Sequence, residues 1–207
     1  AQSYGDAEFI LGKTEFPLDN FSIISKFSPK PEKTWGKADI KIWEKDFQKS
    51  LKNLKVDRIN SLLIHNHKVF LRDDSEILIN WLESLKERSL IKRIGVSIYE
   101  VKDIVGLPLK YLQIIQIPLS IYDQRFITSG ALEKLKQYGL SIHVRSIFLQ
   151  GLILQTRIDE WPPFMSRKFK EHHKKFCQEI RNINIDNLSA ALGFIKRCPN
   201  IEAIVFG

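Results

Sequence analysis

Along much of the chain, short runs of apolar residues alternate with longer stretches in which apolar residues recur every three or four positions. The short runs end abruptly in polar side chains. The clearest is Asn60 to Lys68, NSLLIHNHK, where Ser61 to Ile64 gives way to His65, Asn66 and His67. A continuous apolar run bounded by polar residues marks a parallel strand covered on both faces. The form recurs in Phe21 to Phe27 with Lys26 where the run gives out, and in residues 91 to 97, IKRIGVS, ending in Ser97. It recurs again in residues 112 to 121 with Gln116 through Ser120, in Leu140 to Ser146 with Arg145 and Ser146, and in the final IEAIVF.

Between these runs the period lengthens to that of a helix lying on a sheet. Residues 37 to 55 carry Ile40, Trp43, Phe47, Leu51 and Leu54 with charges between them. Ser75 is placed to cap a helix carrying Leu78, Trp81, Leu82 and Leu85, and Tyr99 to Ile104 forms a short helix. Ser129 opens another helix through Leu132 and Leu135, which Gly139 closes. Lys168 to Ile180 and Asp186 to Lys196 read as two more. Near the start, a loop holding Tyr4 and Gly5 enters a short helical pattern from Glu8 to Leu11 that stops at Gly12. Pro29, Pro31 and Gly36 mark a loop, and Pro162 and Pro163 punctuate a longer excursion. Strand and helix in alternation predict α/β class, a parallel sheet with right-handed crossovers. Polar residues at the strand ends predict one site assembled from several strands, as a (β/α)8 TIM barrel would have.

Composition narrows this. A length of 207 residues with 43% hydrophobic content suits one globular domain and excludes a disordered or fibrous class. A complete barrel of this kind needs roughly 250 residues. The chain opens at Ala1 without a methionine and stops just after its last apolar run. The expectation is therefore a single barrel domain over 1–207, seen incomplete and cut at both ends. The net charge of +8 raises the question of an acidic partner. However, Lys37, Lys41, Lys45, Lys49, Lys52 and Lys55 lie along one helix as a solvated surface, and no basic motif interleaved with aromatics points to nucleic acid. Cys177 and Cys198 fit no metal or redox spacing and read as thiols in a reducing cytoplasm. No apolar run reaches the roughly 18 residues of a membrane span.

Taken alone, the candidate residues leave several chemistries open. Gln116, an amide among Ile114, Ile115 and Ile117, needs hydrogen-bonding partners. His65 and His67, two apart on a strand, share a face and could bind a metal. No third ligand is visible, and His172 and His173 diverge on a helix, so no metal is expected. A strand-end lysine also suits a Schiff-base aldolase, which would not need His65, Ser97 and Gln116 together.

In order along the chain, Tyr4-Gly5, Lys26, Leu63-Ile64-His65, Gly95-Val96-Ser97, Gln116 and Ser146 resemble the motifs of the aldo-keto reductases. The resemblance covers essentially the whole chain and implies a barrel enzyme that reduces a carbonyl compound with NADPH or NADH. It implies Tyr4, Lys26 and His65 as the catalytic residues. It places Ser97, Gln116, Arg145, Ser146 and Phe148 at the cofactor, the last in a run, Phe148-Leu149-Gln150-Gly151, that is similar to the family's pyrophosphate loop. The family's catalytic aspartate belongs about five residues before the tyrosine, ahead of Ala1. Ile98 and Ser120 stand where asparagine is frequent. Arg145 stands where an aromatic ring stacks on the nicotinamide, and it either stacks there or turns away to a carboxylate such as Asp123. The segment that grips the adenosine phosphate follows the last strand, so NADH and NADPH are not distinguished.

A carbonyl accepts hydride only as its oxygen accepts a proton, so such a site needs an acid. A tyrosine serves if its pKa is drawn down from about 10, which a nearby lysine ammonium favours. His65 then orients the carbonyl oxygen. The alternative on the same fold is a nucleotide-binding regulatory or interaction subunit without catalysis.

Overall fold

The structure, a computed structural model, describes residues 3–15, 17–30, 34–157 and 161–206. Pro31, Ala1 and Gly207 lie outside the described residues. Six strands follow chain order in one sheet: β1 (Ile24–Phe27), β2 (Ile59–Ile64), β3 (Ile91–Ser97), β4 (Ile114–Pro118), β5 (Ser141–Arg145) and β6 (Ile201–Ile204). The helices are α1 (Ala7–Gly12), α2 (Lys37–Leu54), α3 (Ser75–Glu87), α4 (Arg125–Thr128), α5 (Ala131–Gln137), α6 (Arg167–Asn182) and α7 (Asn187–Arg197). The class is α/β with a six-strand parallel sheet, as an incomplete (β/α)8 barrel has. By internal packing the chain divides into two compact units, Ala1–Gln116 with Gln137–Leu140, and Ile117–Lys136 with Ser141–Gly207.

In the first unit, β1 to β3 and the start of β4 pair in parallel register. Phe27, Ile64, Val96 and Ile115 form one buried row across them. Phe27 faces the helices: its ring lies 4.9 Å from Trp81 of α3 and 6.3 Å from Trp43 of α2. Trp43 in turn meets Trp35 at 5.1 Å and Trp81 at 5.6 Å, so four large rings close the helix side of the sheet. The period that predicts α2 is the one that buries Trp43, Phe47, Leu51 and Leu54. Its start is fixed by Asp39, whose carboxylate accepts the Gly36 N–H at 3.0 Å.

Several expected boundaries shift. Strand β1 is shorter than Phe21 to Phe27, because Leu18–Asn20 forms a 3-10 turn and pairing begins only at the Ile23 carbonyl, which accepts the Asn60 and Ser61 N–H groups. Ser75 is the first residue of α3, not its cap. The cap position is Asp74, whose carboxylate is already taken by Arg72 at 2.7 Å and by the Trp35 N–H at 2.7 Å. Ser129 ends α4 instead of opening the next helix; its hydroxyl donates to the Arg125 carbonyl, and Gly130, at φ +70°, turns the chain into α5. Gly139 closes α5 in a left-handed conformation, as glycine permits.

The second unit is built on β5 and β6, paired in parallel with a register shift between Ile142 and His143. Both α6 and α7 begin where a polar side chain caps them: Ser166 accepts the Phe169 N–H and Asp186 the Ser189 N–H. His173 of α6 is fully buried and holds the Gln155 carbonyl with Nε2 at 2.8 Å. A carbonyl only accepts, so Nε2 carries the hydrogen, and Nδ1 takes the Tyr122 hydroxyl at 2.8 Å. Burial holds His173 below the usual histidine range and pushes the Tyr122 phenol up, in keeping with this neutral pair.

Glu44 joins α2 to α3. Its carboxylate takes two bonds from Arg88, at 2.9 and 2.8 Å, one from the Trp81 indole at 3.2 Å and one from Gln48 at 3.2 Å. The Arg88 bonds hold the carboxyl down at about 2 against the burial that raises it. A depressed carboxyl stabilises the fold above its unfolded pKa and loses that contribution as pH falls through the folded one. Glu44→Gln should therefore cost about 1–2 kcal/mol at pH 7, where both bonds to Arg88 are charge-assisted. The difference from the parent protein should shrink between pH 4.5 and pH 2, which urea unfolding at a series of pH values will measure.

Candidate active site

Side chains alternate faces along a strand, and register partners share a face. Lys26 pairs with Leu63, Leu63 with Gly95, and Gly95 with Ile114. Two residues further on stand His65, Ser97 and Gln116, with Ser97 and Gln116 in register. Lys26, His65, Ser97 and Gln116 therefore belong to one face, opposite the row that meets the helices. Gly95 is required beneath them: a Cβ there would stand 2.9 Å from the Ile114 carbonyl oxygen and 3.0 Å from Leu63 Cγ.

Tyr4 reaches this face from the loop before α1, where Gly5 at φ +55° makes the turn that glycine allows. Lys26 Nζ donates to the Tyr4 hydroxyl at 3.5 Å, the outer limit of a hydrogen bond, and lies 5.8 Å from the ring centroid. The same ring meets His65 edge-on, at 6.0 Å and 86°. Tyr4 is 54% exposed, so its hydroxyl is open to a small molecule.

Ser97 and Gln116 are 1% and 3% exposed. Their Oγ and Oε1 atoms have no hydrogen-bond partner among the described residues. A buried polar atom left so costs about 1–3 kcal/mol, and a fold keeps it where something else satisfies it. The need for partners at Gln116, legible in the sequence, is thus unmet within the chain.

His67 departs from the expectation. It does not continue the strand beside His65 but opens a 3-10 helix, His67–Leu71, with Asn66 capping the turn. Its Nε2 lies 3.4 Å from Asp103, so the two histidines do not share a face. Among the described residues no group of three metal-ligating side chains occurs. No described helix is long and apolar enough to cross a membrane.

Arg145, Ser146 and Phe148 belong to the second unit. Arg145 ends β5, its Nη1 lies 3.3 Å from Ser146 Oγ, and its charge helps hold the Asp123 carboxyl low. The larger cause there is Arg125, which binds Asp123 through two bonds of 2.8 Å. Ser146 sits at φ +61°, and Leu149, Gln150 and Gly151 are all left-handed, a compact turn in which the Leu149 N–H donates to the Ser146 carbonyl at 3.0 Å. Phe148 stacks on Phe206 at 5.9 Å and 29°. Two residues passed over in the sequence stand beside the first group: Glu8, buried in α1, accepts the Ser25 hydroxyl at 2.6 Å. A glutamate in a first helical turn is common, and nothing in the local pattern marks it.

Parallel strands alternating with helices, several of them with a polar side chain at or near the carboxyl end, define an α/β protein of the incomplete-barrel type. The chain belongs to the aldo/keto reductase family, whose model matches residues 1–195. Its fold is similar to an aldo-keto reductase from Bacillus halodurans in holo form, with 22% identity and a TM-score of 0.74 over 97% of this chain and 66% of that one. It is similar to a glycerol dehydrogenase from Gluconobacter oxydans, at 18% identity and a TM-score of 0.71 over 95% and 66%. It is also similar to an aldo/keto reductase from Klebsiella pneumoniae in complex with NADP and acetate, at 18% identity and a TM-score of 0.68 over 97% and 65%. The chain thus spans about two thirds of the length of these structures. No curated protein matches it by sequence.

The site's two constraints act on stability with opposite sign. Gln116→Leu removes an unmet polar group and should raise the unfolding free energy of the ligand-free protein by about 1 kcal/mol. Gly95→Ala forces β3 from β4 and should lower it by about 1–3 kcal/mol. Urea unfolding of both variants beside the parent checks the pair.

Proposed function

We propose that the protein reduces an aldehyde or ketone to an alcohol with a reduced nicotinamide, NADPH or NADH, and that Tyr4 gives the proton. The observation that carries this is the convergence of the Tyr4 hydroxyl, the Lys26 ammonium and the His65 ring on one open face. Membership of the aldo/keto reductase family supports it, as do the NADP in the similar Klebsiella structure and the dehydrogenase activity named for the Gluconobacter one.

The nicotinamide, when bound, supplies hydride to the carbonyl carbon. The chain supplies the rest. Tyr4 releases its proton to the carbonyl oxygen, and the Lys26 ammonium stabilises the negative charge that grows on the phenol oxygen as it leaves. His65, edge-on to Tyr4, orients the carbonyl oxygen; the phenol is then reprotonated from solvent through its exposed side.

The two unmet atoms suit a carboxamide. Gln116 Oε1 would accept from the amide nitrogen and the Ser97 hydroxyl would donate to the amide oxygen, so each would gain the partner it lacks. The second unit's part of the reading is Ser146, Phe148 and the left-handed turn after them, assigned to the cofactor's phosphates, with Arg145 beside them. A sheet face carrying an acid, a charge to support it and two amide partners has no simpler use than carbonyl reduction.

Tyr4→Phe should slow single-turnover hydride transfer to a reactive aldehyde by about 100- to 10,000-fold while leaving cofactor affinity within a few fold. Ser97→Ala and Gln116→Ala should each weaken reduced cofactor by about tenfold in a fluorescence titration. Full activity in Tyr4→Phe would move the acid to another residue, His65 first.

A further inference from the structure

Helix α1 is held in an unusual way. It is six residues long, too short to persist by its own hydrogen bonds, and its first turn has no side-chain cap. Its large apolar residues do not anchor it: Phe9, Ile10 and Leu11 are 45%, 63% and 41% exposed. The buried residues are Glu8 and Gly12, four apart and so on one side of the helix. Gly12 lies so close to α2 that a Cβ would collide with the Asn53 carbonyl oxygen. Glu8, 6% exposed, accepts the Ser25 hydroxyl at 2.6 Å, and Ser25 is itself 3% exposed. A buried carboxylate is costly unless strongly bonded, and an apolar residue would serve mere packing better.

The chain connections give this bond a second meaning. Glu8 is four residues after Tyr4, and the turn between them is closed by the Ala7 N–H on the Tyr4 carbonyl at 3.3 Å. Ser25 is the neighbour of Lys26, pointing to the opposite face of β1. The Glu8–Ser25 bond and the Lys26–Tyr4 contact therefore close one ring, through a four-residue step on one side and a single peptide on the other.

We infer that Glu8 and Ser25 are positioning residues: their buried hydrogen bond sets α1 against β1 and thereby holds the Tyr4 hydroxyl within reach of the Lys26 ammonium. Its catalytic consequence rests on the reading of Tyr4 as proton donor. The geometric part does not. The Gly12 contact allows close approach but is non-directional, so rotation of α1 about that point is restrained by the Glu8–Ser25 bond. Loss of that bond leaves Tyr4 on a loop tied only to a short helix free to rotate, so that its phenol wanders by about the ångström that costs a factor of 100 in a positioned reaction.

The test uses tyrosine labelled with carbon-13, the Tyr4 signal among the five tyrosines being assigned through Tyr4→Phe. Lys26→Met defines the signal of Tyr4 without its lysine. Ser25→Ala and Glu8→Ala should move the Tyr4 signal most of the way to that position. Glu8→Gln, which keeps the acceptor but loses the charge, should move it part of the way, and it carries the test alone if the alanine variants do not fold cooperatively. In single-turnover reduction the alanine variants should be about 100-fold slower, with reduced-cofactor affinity within about twofold and the double variant no slower than either single one. An unmoved Tyr4 signal, or losses that multiply in the double variant, overturns the inference. If the parent protein transfers no hydride, the proposed activity fails while the Tyr4 signal still decides the brace.

Discussion

Everything at the candidate site follows from the way a parallel sheet sorts its side chains. Phe27, Ile64, Val96 and Ile115 occupy one row because their burial, that of Phe27 under Trp43 and Trp81, removes large apolar surface from water. That row obliges their neighbours to face the other way. Lys26 is one residue from Phe27, and His65, Ser97 and Gln116 each follow a row member by one, so apolar packing on one face sets polar chemistry on the other. A slip of one residue in the β1–β2 pairing would turn the lysine to the helix side and the phenylalanine away from it, and that penalty is what makes the register secure.

The opposite face shows what the fold gives up. Beneath the polar layer, Leu63, Gly95 and Ile114 form a dry floor in which even a methyl group is excluded. Directly above it Ser97 and Gln116 keep atoms that nothing in the described chain satisfies. A polar buried network that is complete, as in Tyr122, His173 and the Gln155 carbonyl of the second unit, rigidifies its surroundings. One that is incomplete costs stability, and on the proposed reading Ser97 and Gln116 keep that cost for the sake of a ligand, so stability and function diverge within neighbouring rows of one sheet.

Two of the places where the sequence misleads have a common cause. Ser75 and Ser129 are good capping residues, yet Asp74 takes the cap position while its carboxylate serves Arg72 and Trp35, and Gly130 supplies the turn before α5. His67 looks like a strand residue until the chain bends into a 3-10 helix and the ring goes to Asp103. At Asp74 and His67 a partner far along the chain, Trp35 and Asp103, outweighs a local preference of about 1 kcal/mol, whereas Ser129 yields to its own helix, its hydroxyl turning back to the Arg125 carbonyl. Glu8 is the same lesson in reverse, since an ordinary glutamate acquires meaning only when Ser25, distant in sequence, is brought beside it.

Periodicity and strand-end polarity alone determined the α/β class, the order of strands and helices, and that Lys26, His65 and Ser97 stand at or beside the ends of their strands with Gln116 inside its own, because burial on both faces writes itself as an uninterrupted apolar run. The ordered motifs that accompany those ends determined the family. Only the tertiary structure decided which strand ends share a face, that the Tyr4 ring stands between Lys26 and His65, and that Ser97 and Gln116 lack partners. Those are relations between residues far apart in the chain, fixed by register and packing, and no local pattern encodes a distance.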